Sequence, residues 1–262
     1  MYRYYILPLI LLLCCSVKSQ ILKKPIPDKL VVLTFDDAPA SQYSVVAPWL
    51  LEFGFGATFF VCEFPPNYKD STLYMNWRQM STLHEMGFEI ANHTQTHANV
   101  AKLTQSQFNN ELGYIERKCD SLGIPKPHNF AYPGYGLNAK ALDFLEGKEY
   151  HFARAGGGRP YDPLSDHPYL IPSWATNTEN KREILDALRT AKDGNIVVLT
   201  FHGVPDIEHP WVTTPPQLFK EYLNHLSDNG YKAIALRDLE KYINVEEAKK
   251  IIAPDLAKTL KN

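Results

Sequence analysis

The chain has 262 residues, 45% of them hydrophobic and 21% charged, with a formal net charge of -2. This is ordinary globular usage, which argues against disorder and leaves no basic footprint for nucleic acid or an anionic membrane surface. The length admits one large α/β barrel or two smaller units, and aromatics at 12% suit either core packing or a groove that stacks on sugar faces.

In chain order, Met1 to Gln20 places Arg3 ahead of the apolar stretch Ile6 to Cys15, then Val17-Lys18-Ser19 at a plausible cleavage point. That pattern predicts a signal peptide over residues 1–19, too short to span a bilayer stably, and hence an exported protein without a membrane-spanning segment once cleaved. Lipid attachment at Cys14 or Cys15, or an uncleaved anchor, stays open. Residues 20–27 form a short N-terminal segment.

Val31-Val32-Leu33-Thr34-Phe35 is a β-branched run without alternation, predicting a strand buried on both faces that ends in Asp36 and Asp37. Adjacent strand side chains point to opposite faces, so the two carboxylates are expected to do different jobs, although either could simply cap the next helix. A helix over Tyr43–Phe53 follows, closed by Gly54 and Gly56, then a strand over Ala57–Val61, a helix over Trp77–Met86 and a strand over Phe88–Ala91. The alternation continues with a helix over Gln105–Leu122, a strand over Asn129–Tyr132, a helix over Ala139–Leu145 and a strand over Tyr150–Arg154. A Gly- and Pro-rich loop spans Gly156–Pro172. Beyond it come a helix over Lys181–Ala191, the most apolar strand at Ile196–Phe201 and a helix over Pro216–Ser227, with a last strand and helix over Tyr231–Ala235 and Leu236–Ile243. No linker divides this run, which predicts a single α/β domain over 28–243, a distorted (β/α) barrel of about seven or eight strands. Glu246 to Leu260 is expected as a helix outside it, within a C-terminal segment 244–262.

Two cysteines, Cys62 and Cys119, lie beyond the signal peptide; a single disulfide or two buried thiols are both open. Neither has zinc-site spacing.

Directly after the third strand, Asn92-His93-Thr94-Gln95-Thr96-His97 places two histidines four apart at the strand end that also carries Asp36 and Asp37. On a helical turn, that spacing puts both imidazoles on one face, and with a carboxylate they make a two-His, one-carboxylate metal set with open positions. The strongest core strand ends in Phe201-His202-Gly203, which makes His202 a candidate general acid or base.

These stretches resemble the polysaccharide deacetylases of the NodB-homology type, carbohydrate esterase family four, over about residues 28–243. The resemblance rests on Thr34-Phe35-Asp36-Asp37, His93-Thr94-Gln95-Thr96-His97 and Leu199-Thr200-Phe201-His202. It implies a NodB-like barrel with Asp36 as catalytic base, Asp37, His93 and His97 as metal ligands and His202 as general acid. Zinc suits that ligand set, with cobalt or nickel as alternatives. The third family motif departs from pattern: Phe130-Ala131-Tyr132-Pro133-Gly134-Tyr135-Gly136 lacks the usual Arg, and Arg154, with Arg159 behind it, is the nearest replacement. Tyr132, Pro133, Tyr135 and Trp174 stand as substrate contacts, and Asp162 or Asp166 as partners of His202. The implied activity is hydrolysis of N-acetyl groups on N-acetylglucosamine-type glycans by a secreted monomer, in the periplasm, cell envelope or medium. An O-acetyl esterase of xylan-type substrates, or a carbohydrate-binding protein with weakened turnover, are the alternatives.

Overall fold

The structure, a computed structural model, describes residues 20–259. The expected signal peptide lies outside the described residues. Eight parallel strands make one curled sheet: β1 (Leu30–Asp36), β2 (Thr58–Val61), β3 (Glu89–Asn92), β4 (Asn129–Ala131), β5 (Phe152–Arg154), β6 (Trp174–Ala175), β7 (Val197–Phe201) and β8 (Lys232–Ile234). Their order is β5-β4-β3-β2-β1-β7-β6, with β8 added to β1. Around them lie α1 (Ala47–Phe53), α2 (Trp77–Glu85), α3 (Gln105–Ser121), α4 (Ala139–Glu146), α5 (Lys181–Leu188), α6 (Pro216–Asp228) and α7 (Val245–Ile251). The expected NodB-like (β/α) barrel is what the chain forms.

Every residue of β1 is buried, because the strand has apolar layers on both sides. Val31, Leu33 and Phe35 face outward and pack with Leu50, Leu83, Ile115, Leu188 and Phe219 of the helices. Phe35 lies between Phe59 and Phe201 at centroid distances of 5.1 and 5.2 Å. Leu30 and Val32 face inward with Phe60, Ala91, Ala131, Phe152, Val198 and Ile234. Continuing that alternation puts Thr34 and Asp36 inside the barrel at its C-terminal mouth.

The distortion has two sources. β7 occupies one edge of β1 from Val31 to Phe35, so β8 and β2 share the other, β8 at Leu30–Val32 and β2 at Thr34–Asp36. Opposite β1, closure falls to one short stretch: Ile171 pairs with β5 through Ile171 N to Ala153 O (3.0 Å) and Ala155 N to Ile171 O (2.7 Å), and Trp174–Ala175 then pair with β7. This two-residue β6, just past the Gly- and Pro-rich loop, has no counterpart among the expected strands, since it is too short to show any periodicity.

Helix starts follow local chemistry. Asn76 with Gln79, and Thr104 with Gln107, form reciprocal capping boxes at α2 and α3. The helix expected over Tyr43–Phe53 opens as a π-turn over Gln42–Val46 before α1. The one expected over Leu236–Ile243 is a 3-10 turn, Leu236–Lys241. The C-terminal helix is also shorter than expected: α7 stops at Ile251, because Pro254 disfavours helical backbone in the residue before it and offers no donor. Both flanks pack beneath the barrel. Asn244 N donates to Ile21 O and Lys23 N to Tyr242 O, both at 2.8 Å, and Ile21, Ile26, Val245, Ala248 and Ile252 join the inner apolar cluster. Cys62 and Cys119 are buried free thiols. Among the described residues no helix is long and apolar enough to cross a membrane.

Candidate active site

The mouth is built where β1 leaves its pleat. Asp36 is the last strand residue and points inward; Asp37 would point out, but its backbone turns left-handed (φ 69°), as does that of Ala38 (φ 57°). Left-handed backbone at non-glycine residues costs roughly 1–3 kcal/mol each, and here it swings the second carboxylate into the same mouth. Gln42 holds the turn: its buried amide donates to Asp36 O (2.6 Å) and His202 O (3.2 Å), tying the ends of β1 and β7.

Asp37 Oδ1 lies 3.3 Å from His93 Nε2 and 3.3 Å from His97 Nε2, and Oδ2 lies 3.7 Å from His202 Nε2. The histidine pair does not sit on a helical turn. It sits on a loop with left-handed Thr94 (φ 62°) and His97 (φ 54°), which fold the chain back so that both rings meet 5.0 Å apart. Side chains enforce that shape. Asn92 donates to Leu112 O (3.1 Å) and Tyr150 Oη (2.8 Å) while accepting from Thr94 N (2.9 Å). Thr94 Oγ1 accepts from Ala98 N (2.9 Å), and the Glu111 carboxylate on α3 captures both Thr96 N (2.8 Å) and Thr96 Oγ1 (2.9 Å).

Asp37, His93 and His97 fit a metal ion. Their ligand atoms lie within 4.8 Å of one another, and 3.3 Å between neighbours is close to what bonds of about 2.0–2.2 Å to one centre would give. His93 Nδ1 lies 2.8 Å from Ala131 O, which orients the ring with Nε2 toward Asp37, the kind of outer contact metal-binding imidazoles use. Burial pushes the Asp37 carboxyl up, but the hydrogen bond from His93 and the charges of His202, His93 and His97 outweigh it and hold it well below the usual carboxylate range. Burial pushes His93 down, and the carboxylates of Asp36 and Asp37 reverse this, leaving it raised. Burial and the neighbouring His93 bring His97 down to about 4.

Arg154 is fully buried and reaches across the barrel to Asp36, Nη2 to Oδ2 2.5 Å. Its Nη1 donates to Thr200 Oγ1 (2.9 Å), and its guanidinium lies over the rings of Phe60 and Tyr135 at 5.4 and 5.6 Å. The register explains its reach: Arg154 pairs with Ala131, so it stands level with the end of β4, one strand round from the motif that lacks an Arg. Asp36 Oδ1 is buried with no partner, and Oδ2 is 3.9 Å from His93 Nε2. Arg159 is elsewhere, paired with Asp166 at 2.6 Å. Neither Asp162 nor Asp166 meets His202: Asp162 caps its own turn through Leu164 N and Ser165 Oγ, and Asp166 is taken by Arg159 and Lys258.

A cavity of about 230 Å³ opens onto Asp36, Asp37, His93, His97 and His202. A larger one, about 480 Å³, lies between the N-terminal segment and Asp162–Leu164 and has no histidine or cysteine in its lining, so chemistry favours the smaller. Of the expected substrate contacts, Tyr135 lines the small cavity, next to Gly134, which was not among them. Tyr132 lines it too but offers no open ring: it is 1% exposed, its hydroxyl donates to Tyr169 O and its N–H to Arg154 O. Pro133 is buried. Trp174 does not reach the cavity; its ring packs in the outer layer and Ala175 lines the wall instead, because neighbours on a strand face opposite ways. Three aromatic liners come from loops the sequence reading left unassigned, Phe64, His209 and Trp211.

Fold and mouth together define a parallel (β/α) barrel with a two-His, one-carboxylate centre and a second, Arg-held carboxylate beside it. Comparison with known proteins agrees. The family model for polysaccharide deacetylases matches residues 23–153, and the chain belongs to that family. It is 25% identical over 217 residues to a bifunctional xylanase/deacetylase of Pseudobutyrivibrio xylanivorans, covering 80% of this chain and 30% of that protein's length. Among solved structures it resembles a chitin deacetylase from Colletotrichum lindemuthianum (TM-score 0.59, 17% identity, 85% of this chain and 94% of the other). It also resembles a CE4 family pseudoenzyme from Bacillus anthracis (TM-score 0.57, 18% identity, 82% and 66%). At these identities the structural likeness speaks for the fold alone.

Proposed function

We propose that the protein is a metal-dependent, exported deacetylase that hydrolyses N-acetyl groups of an N-acetylglucosamine-type polysaccharide. The observation that carries this reading is the pairing at one mouth of Asp37, His93 and His97 with a second carboxylate, Asp36, whose one oxygen is fixed by Arg154 and whose other is unpartnered. An ion held by Asp37, His93 and His97, zinc by preference, would polarise the acetyl carbonyl and make water a better nucleophile. Asp36 takes the proton from the attacking water through Oδ1, while Arg154 fixes the carboxylate's rotamer through Oδ2. His202, on the far side of Asp37, gives a proton to the departing amine. Gly134 is the second residue of the 3-10 turn Pro133–Tyr135 at the cavity wall, where a backbone N–H lacks a helical partner, and is the candidate donor to the carbonyl oxygen. Export rests on the apolar run ahead of Gln20.

The test is acetate release from purified, metal-loaded protein on acetylated chito-oligomers and acetylated xylans, with metal content measured alongside. Release that stops on chelation and returns with zinc is expected. Release that persists with no bound metal contradicts the reading. An O-acetyl esterase is the second reading, because the same centre cleaves an ester and one relative carries a xylanase/deacetylase name. A binder without turnover is disfavoured by the intact Asp36–Arg154 pair.

A further inference from the structure

Beyond His202 the chain runs through Gly203–Thr214 before α6. This loop carries the two most exposed large apolar side chains among the described residues, Ile207 and Trp211, each 69% exposed. Trp211 lines the cavity that holds Asp36, His93 and His97. Rings lead back from it: His209 is 5.3 Å from Trp211 and 4.8 Å from Phe64, and Phe64 is 4.7 Å from His97. The loop is tied down. Buried Asp206 accepts from Gly203 N (3.3 Å) and His209 N (2.9 Å), and its own N–H donates to Thr213 Oγ1 (2.8 Å). Thr214 N donates to Gly203 O (3.2 Å), and Asn67 Nδ2 on the facing loop donates to Glu208 (2.8 Å).

A large indole held rigidly in water forgoes apolar burial that a more flexible loop would recover by folding it in. Held beside a reactive cavity, such a ring is a preorganised surface for a ligand with one apolar face. A pyranose is such a ligand, with a C–H face and a hydroxyl rim. A protein partner fits less well, since two apolar side chains fall far short of the roughly 800 Å² each partner buries in a stable interface.

We propose that Trp211, backed by His209 and Phe64, is a subsite for a sugar adjoining the one that is deacetylated, so that the enzyme takes oligomeric glycans in preference to single acetylated sugars. This rests on the deacetylase reading and sharpens its substrate class. On acetylated N-acetylglucosamine and xylose oligomers of one to five sugars, Trp211→Ala is expected to raise KM about 10-fold for the longer members, far less for the single sugar, with kcat changing less than KM. Trp211→Phe is expected to recover most of the loss. A KM unchanged, or raised equally at every length, overturns the subsite. Binding is read separately in the Asp36→Asn protein, because Trp211 is the one exposed indole of four: a fluorescence shift on adding oligomer, absent from Asp36→Asn/Trp211→Ala, supports the subsite even if no glycan is hydrolysed. Hydrolysis without any Trp211-dependent shift or length effect overturns the subsite while leaving the activity standing.

Discussion

The two ends of the barrel each bury carboxylates, and they treat them oppositely. At the N-terminal end, Glu89 is saturated: Oε1 accepts from Asn129 Nδ2 (2.6 Å), Oε2 from Thr58 Oγ1 (2.6 Å) and Arg237 N (2.9 Å). These bonds staple the turn after β8 to β2, β3 and β4. Burial pushes the Glu89 carboxyl up, with the hydrogen bonds from Thr58, Arg237 and Asn129 opposing it. At the C-terminal end, Asp36 keeps one oxygen without a partner and Asp37 is shared among three imidazoles. A saturated buried carboxylate holds structure, whereas one with unused acceptor capacity facing a cavity is available to a substrate or an ion.

The contrast breaks most severely at Arg154. Arg154→Ala leaves Asp36 buried without its cation, a change that typically costs about 3–5 kcal/mol, and removes what positions the proposed base. The expected result is a large fall in both melting temperature and kcat with metal content retained. A variant with wild-type kcat would show that the base needs no such support.

Next is the histidine loop. Glu111→Gln weakens the clamp on Thr96 without touching a proposed metal ligand, so metal affinity is expected to fall about 10- to 100-fold, as for outer contacts generally. A metal titration in which the variant matches the parent would show that Asn92 and Thr94 suffice.

Glu89→Gln sharpens the comparison from the other end. The amide turns a donor toward neighbours that are themselves donors, at an expected cost of about 1–3 kcal/mol. Thermal melts should register this while kcat stays close to the parent value. A strong loss of kcat at full stability would deny that this carboxylate is purely structural.

The pH dependence follows from His93. Its folded pKa is raised above the free imidazole's, so in the metal-free protein its ion pairing contributes stability below about pH 6.5 that is lost as pH rises through the raised value. Below about pH 6.5 the lowered His97, with its pKa at about 4, works the other way, so the fall is expected above that pH. A bound ion needs the neutral ring, so above about pH 6.5 the two forms should trend oppositely: rising pH lowers the melting temperature of the metal-free protein and tightens metal binding. Calorimetry in two buffers should detect proton release on binding, and its absence on the acid side would place the proton elsewhere.

Much of this mouth was legible in the chain because motif and strand end coincide. Asp36 and Asp37 follow a largely apolar run broken only by Thr34, and His93 and His97 follow β3 directly. The route was less legible than the destination. A helical turn was the natural reading of histidines four apart, but Asn92, Thr94 and Glu111 stabilise left-handed backbone instead, through contacts up to 58 residues away. Arg154 was nameable as a candidate, but its distance to Asp36 depends on the β4–β5 register, which no local pattern encodes. Phe64, His209 and Trp211 come from two loops that meet only when the barrel has closed, so nothing in their own segments announces them.

The most direct test separates the two adjacent carboxylates. Metal content and acetate release would be measured side by side on Asp36→Asn and Asp37→Ala. Asp36→Asn is expected to keep its ion and lose turnover by about 10²- to 10⁴-fold, the usual worth of a positioned base, while Asp37→Ala loses the ion first. An Asp36→Asn protein stripped of metal beside an Asp37→Ala protein that retains it would contradict the account.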